Sequence, residues 1–185
     1  MTAPREMRRA RREVTELAEL RSIVDRARVL HVGSSDDEGP FVVPMSFGYE
    51  VLGEKDDEPR WVFWMHSAGE GRKVAAWDAD PTVALELDVP AGVIEGDFAC
   101  AYSYAYESVM AVGAISRVTG AEEKARGLTR IMEHMAPGAP VSFSEAALER
   151  TAVWRVDVTR LTGKRRDAPA ASGSFGAPDG RAKRT

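Results

Sequence analysis

Between Trp64 and Trp77 the chain reads "WMHSAGEGRKVAAW", which gathers a histidine, a serine, two glycines and an Arg-Lys pair. Serine catalysis does not fit. His66 and Ser67 are adjacent, so on a strand they point to opposite faces. A working nucleophile needs its base within hydrogen-bond reach and usually a sharp G-x-S-x-G turn. A triphosphate loop requires G-x-x-x-x-G-K-[ST]. Here Gly69, Gly71, Arg72, Lys73 and Val74 have neither the spacing nor the metal-binding hydroxyl. No third glycine completes a dinucleotide fingerprint. Zinc is set aside too: His31, His66 and His134 are scattered, Cys100 is alone, and no ligand pair has helix or turn spacing. His134, in "RIMEHM", reads as a helix-surface residue.

What remains is an anion cradle. A strand ending at His66 and Ser67 leads into a helix starting near Gly71. Free backbone N–H groups at a helix start favour phosphate, and glycines let it approach. Ser67 supplies a hydroxyl donor, and Arg72 and Lys73 supply charge, with arginine able to grip two oxygens. A phosphate monoester carries about −1.5 to −2 at neutral pH, which two cations match. The spacing is equally that of an ordinary capped helix with surface cations. In "VVPMSFGY", Pro44 frees neighbouring backbone groups from a ladder, either at an edge or at a bulge, where they could bond the polar rim of a flat ring.

These residues need elements to hold them. Leu17, Leu20, Ile23, Val24 and Ala27 mark a helix over Thr15 to Leu30, with Thr15 as cap. "RVLHVGSS" and "PFVVPMSFGYEV" read as strands around the turn "SDDEG". "RWVFWMHS" is a third strand after the charged hairpin loop "GEKDDEPR". "TVALELDV" alternates as a half-buried strand, and "CAYSYAYESVMAVGAISRV" reads as two strands or as one strand bent near Gly113. Thr119 and Glu122 resemble a capping box for a helix bearing Leu128, Ile131, Met132 and Met135. Ser144 caps a short helix, and "AVWRVDVTRL" is the last strand. Hairpin-length links favour a mainly β fold, a small antiparallel barrel of six strands with flanking helices, over a doubly wound sheet.

The 185 residues suit one domain with ends, and 44% apolar residues can fill a core. A net charge of −4 argues against a nucleic-acid binder. One cysteine forms no internal disulfide, and no apolar run is long enough for a membrane span. The Arg-rich start meets acidic residues from Glu6 and no apolar stretch follows, so it reads as polar and the protein as cytoplasmic. From Ala168 onward the composition predicts disorder.

In order, "FVVPMSFGYE", "FWMHSAGEGRKV", "YESVMAVGAI", "IMEHM" and "LTGKR" resemble the FMN-binding split-barrel flavoproteins of the pyridoxamine 5'-phosphate oxidase-like superfamily. The opening "REVTELAELRSIVDRARVLHVG" is similar to the branch related to nitroimidazole-resistance proteins. The resemblance spans roughly Arg8 to Arg166. It implies a six-stranded split β-barrel, a polar arm over residues 1–12, a flavin-binding domain over 13–167 and a tail over 168–185. It implies a homodimer with FMN at the interface. Val43, Pro44, Met45 and Ser46 would then edge the flavin ring. His66, Ser67, Gly71, Arg72 and Lys73 would hold its phosphate. Tyr106 and Ser108 would complete the pocket from the partner chain, and Trp154 would cover the ring.

The implied activity is oxidoreduction, from NADH or NADPH through FMN to a nitroaromatic or quinone-like acceptor. A flavin-storing or sensing protein, or the same barrel holding heme or the deazaflavin F420, are the alternatives. His66 has two candidate roles, cofactor contact and proton transfer. The last strand, "WRVDVTRLTGKRR", lacks the arginine-histidine pattern expected of a pyridoxamine phosphate oxidase.

Overall fold

A computed structural model describes residues 7–53 and 59–168. Most of the "GEKDDEPR" loop, the first residues of the polar arm and the tail from 169 lie outside the described residues. The elements run β1 (Glu13–Val14), α1 (Leu17–Arg26), β2 (Leu30–Asp36), β3 (Gly39–Met45), β4 (Phe47–Leu52), β5 (Arg60–Ser67), α2 (Arg72–Ala79), β6 (Thr82–Ile94), β7 (Ser103–Val118), α3 (Ala121–Met135), α4 (Glu145–Arg150) and β8 (Ala152–Arg166). The sheet is antiparallel, in the order β3-β2-β6-β7-β8-β5-β4, with β1 paired to β8.

Eight strands therefore replace the six expected. The two-residue β1 is too short to leave a period in the sequence. The stretch "PFVVPMSFGYEV" divides at Ser46 into β3 and β4. These two strands are the opposite edges of the sheet, yet a single residue joins them. The sheet must therefore curl until its edges meet at Ser46, with no ladder across the seam. That is a split barrel, as expected. Pro44 sits on edge strand β3, opposite His31 of β2, where its missing N–H costs nothing.

The interior is apolar. Trp154, Phe47, Phe63, Met65, Leu85 and Leu87 belong to one cluster inside the curl. A second lies on the other face of β5 under α3, formed by Val62, Trp64, Val153, Leu128 and Ile131. Strand β5 feeds both, since alternate residues point to opposite faces. The same alternation separates His66 from Ser67.

The helices differ from expectation at their ends. α1 covers Leu17–Arg26, shorter than Thr15 to Leu30. Its cap position is Glu16, with no side-chain cap bond, so Thr15 does not cap it. Ala27 turns extended, and pairing with β3 claims the chain from Leu30. At α3 the cap is Gly120, one residue later than predicted. Glu122 is then at the second helical position, where a capping box with Thr119 cannot close. Ser144 does cap α4, accepting from the Ala147 N–H at 3.3 Å. β7 is one continuous strand whose register with β8 shifts between Val112 and Gly113.

Glu107 of β7 ties α1 to the sheet. Its carboxylate accepts from Arg165 Nε at 2.7 Å and pairs with Arg26. Partial burial pushes its pKa up, but the two guanidinium groups outweigh that and hold it below the ordinary value of 4.5. The folded protein then binds fewer protons than the unfolded chain, so this contribution is full above pH 4.5 and is lost as pH falls through the depressed value. Glu107→Gln should flatten the acid side of a plot of Tm against pH. An unchanged acid slope would show that Glu107 contributes nothing there.

Candidate functional site

The turn between β5 and β6 caps one end of the curl. Trp77 of α2 donates from its indole N–H to Ser34 Oγ at 2.9 Å and meets Trp154 edge-on at 4.9 Å. Val74, Ala76 and Trp77 are buried, so the helix is fixed while its start faces outward. Gly71 precedes it with φ 114° and ψ 174°. That backbone region is open essentially to glycine alone. A Cβ placed there would meet nothing within 4 Å, so conformation and not crowding demands the glycine. The first-turn N–H groups of Arg72, Lys73 and Val74 have no intrahelical acceptor, and Gly71 offers no capping side chain.

The predicted residues part company here. Lys73 is half-buried, and its ammonium lies 3.7 Å from Met45 Sδ, which brings it to the seam segment Val43–Ser46. Met45 is buried, Val43 half-buried, and Pro44 and Ser46 are exposed. Arg72 turns away. It grips Asp36 with two bonds, Nε at 2.6 Å and Nη2 at 2.8 Å, and has Glu38 at 3.6 Å. Its guanidinium lies over Phe41, 4.5 Å from the ring centroid. Hydrogen bonding to Arg72 holds the Asp36 carboxyl below the usual range, and the same bond raises Arg72.

Ser67 is spoken for as well. Its hydroxyl donates to the Ala68 carbonyl at 2.7 Å and accepts from the Trp154 indole N–H at 2.9 Å. Trp154 itself is 1% exposed. It backs Ser67 from inside the core and offers no face to a ligand, contrary to the expectation that it covers one. His66 is exposed and pairs with Val153, a member of the cluster under α3, so it does not share a face with Ser67. His134 is half-buried and not a plain surface residue: its ring packs at a tilt 4.2 Å from Phe47, and Nε2 lies 3.0 Å from the Ala27 carbonyl.

Tyr106 and Ser108 lie far along the sheet. The β2–β6 ladder pairs His31 with Glu86 and Gly33 with Ala84, so its continuation sets Asp36 opposite position 81. Tyr106 faces Pro90 and Ser108 faces Asp88. Seven to nine strand residues at ~3.3 Å each separate them from Arg72's partner, ~23–30 Å along the strand. Within one chain they do not reach the turn.

Nothing in the sequence marks Arg117. From the end of β7 its Nη2 donates to the Gly69 carbonyl at 2.7 Å, and its guanidinium lies 5.3 Å from the Trp154 ring. In "ISRV" it looks like an ordinary outward residue. Asp36, in "SDDEG", likewise looks like a turn residue. Among the described residues no group of three or more metal-ligating side chains is gathered, and no helix is long and apolar enough to cross a membrane. The turn offers first-turn N–H groups without a side-chain cap and a half-buried lysine beside an apolar strand edge; among the described residues around it no general acid–base pair is hydrogen-bonded together.

The family model described as pyridoxamine 5'-phosphate oxidase matches residues 16–165. A candidate 5-nitroimidazole antibiotic resistance protein from Bacteroides thetaiotaomicron is 32% identical, with 83% of this chain and 86% of that one covered and a TM-score of 0.68. The flavocytochrome Anf3 from Azotobacter vinelandii shares the fold at 19% identity, 96% and 89% coverage and a TM-score of 0.71. So does an FAD- and heme-binding protein from Mycobacterium smegmatis, at 16% identity, 92% and 89% coverage and a TM-score of 0.70. Among curated proteins none matches.

Proposed function

Because this chain belongs to the pyridoxamine 5'-phosphate oxidase family, we propose that it is an FMN-binding oxidoreductase. It takes electrons from NADH or NADPH and passes them to a small flat acceptor, nitroaromatic or quinone-like. The observation that carries the reading is the opening of α2. Nothing stands within 4 Å of where a Gly71 Cβ would be, no side chain caps the first-turn N–H groups, and Lys73, with no carboxylate partner among the described residues, points to the seam at Met45. That fits a phosphate at one end and a ring edge at the other.

FMN supplies the redox chemistry when bound. The chain's residues bind and orient it. Lys73 and the first-turn N–H groups neutralise the phosphate. The seam backbone, unpaired on the side of β3 away from β2, bonds the polar rim of the ring. Core Trp154 keeps the turn in place through Ser67. Tyr106 and Ser108 contribute from a second copy of the chain, since their own turn is out of reach. A groove of about 630 Å³ beside Ser108, Met110 and Val112, with Met110 61% exposed, supports a homodimer using this face. Oxidation of pyridoxamine phosphate does not suit the chain, because the last strand lacks its arginine-histidine pattern.

The visible spectrum of freshly purified protein tests this. Oxidised-flavin maxima that bleach with NADH or NADPH and return with a nitroaromatic or quinone are expected. A flavin that neither nucleotide reduces would mean storage or sensing. A Soret band would replace FMN with heme, and blue-shifted absorbance with a deazaflavin. Colourless protein that takes up no added FMN would sink the reading.

A further inference from the structure

Four arginines line one cleft of about 350 Å³ at the end of β8: Arg11, Arg12, Arg165 and Arg166, with Ile94 and Asp167 completing its wall. We propose that this cleft binds the phosphates of the reducing nucleotide, the doubly charged pyrophosphate of NADH or NADPH. This rests on the oxidoreductase reading above.

Strand register gathers the arginines. Glu13 pairs with Lys164 and Val14 with Gly163, antiparallel. The chain before β1 therefore runs on beside Arg165 and Arg166, and a single helical turn, Ala10–Arg12, carries Arg11 and Arg12 to the same cleft. Of the four, Arg165 is neutralised: its Nε donates to Glu107 at 2.7 Å, and Glu19 lies at 3.4 Å. Arg11, Arg12 and Arg166 have no carboxylate within ion-pair distance among the described residues, although Asp167 shares the wall. Like charges held side by side across strands cost stability, and an anion between them removes that cost. Guanidinium forks take phosphate oxygens in pairs, so several forks around one cleft suit a group with several such oxygens.

The position suits an electron donor. Arg166 lies directly across from Tyr106 on β7, and Tyr106 is the residue assigned above to a second copy's flavin pocket. Tyr104 continues the same face of β7 and is 47% exposed, a ring on which a nucleotide base can stack. The cleft thus borders the surface that this chain offers to the flavin.

The rival role is a solvated basic rim. Flavin-loaded protein titrated calorimetrically with inorganic pyrophosphate should show saturable binding and a raised Tm. Arg11→Gln and Arg166→Gln should each weaken that binding by about tenfold, as for one charge-assisted hydrogen bond. The KM for NADH or NADPH should rise by a similar factor, while FMN affinity stays within about twofold, as for sites with no shared partner. Neither arginine holds a carboxylate, so Tm without ligand should hold or rise in both variants, and folding does not confound the result. Added salt should raise KM more steeply in wild type than in either variant. No pyrophosphate binding by wild type, or an unchanged nucleotide KM in both variants, would overturn the assignment and leave the flavin reading intact. A loss of FMN affinity larger than the rise in KM would also overturn it, by giving the cleft to the cofactor's own phosphate. A flavin that neither nucleotide reduces removes the electron-donor reading and this assignment with it.

Discussion

Lys73→Ala is expected to weaken FMN binding by about 10- to 100-fold and leave riboflavin binding nearly unchanged. The magnitude follows from a charge-assisted hydrogen bond to phosphate, about 1.5–3 kcal/mol, at 1.4 kcal/mol per tenfold in Kd. Lys73 makes its one described polar contact with a thioether at 3.7 Å, a poor competitor for an ammonium. The ligand therefore does not have to break an existing ion pair, and most of the interaction shows up as affinity. Truncating a lysine that holds nothing else should move stability by less than about 0.5 kcal/mol, so folding does not confound the result. Fluorescence titration of apoprotein with both ligands measures this. FMN affinity within twofold of wild type in the single variant would mean that the phosphate sits elsewhere.

The difference between Lys73 and Arg72 also shows what a sequence can and cannot carry. Two adjacent cations after a glycine are visible in a string, and so is their suitability for an anion. Which of them is free depends on Asp36, thirty-six positions earlier along the chain, placed there by the β2–β3 hairpin. Another cation, Arg117, sits forty-eight residues from Gly69, and only the β7–β8 and β5–β8 registers together bring them side by side. The barrel was legible because alternation and turn residues are local. Its seam was not, because "PFVVPMSFGYEV" alternates straight through Ser46 and nothing local says that the two halves lie on opposite sheet edges. Helix ends failed for a related reason. Thr15 and Thr119 are good caps in isolation, but strand pairing and a one-residue shift decided where α1 and α3 begin. Ser144, at a short helix with few competing contacts, behaved as its type predicts.

Gly48→Ala is expected to cost about 3 kcal/mol or more, a fall in Tm of about 6–12 °C at ~2–4 °C per kcal/mol for a domain of this size. Gly48 lies in β4 opposite Trp64, where α3 crosses the strand. A Cβ there would stand 2.2 Å from the Arg130 carbonyl carbon, 2.3 Å from its oxygen and 2.4 Å from the Ile131 nitrogen. These are backbone atoms, so no rotamer change relieves the clash. The helix must lift, and lifting it uncovers Ile131, Leu128 and the fully buried Trp64. It also pulls Arg126 and Arg130 from Glu50, whose side chain is 9% exposed, and His134 from Phe47. Most of the damage falls on the α3 face of β5 and reaches the interior only at Phe47, whereas Ser67, Arg117 and Trp154 are on the other face. The folded fraction of Gly48→Ala should therefore bind FMN with wild-type affinity at low temperature, while Lys73→Ala melts normally and binds poorly. Chemical denaturation alongside FMN titration checks both halves. An unchanged Tm would mean that α3 does not touch β4 at this glycine, and lost FMN affinity in folded protein would mean that the two faces of β5 are not independent.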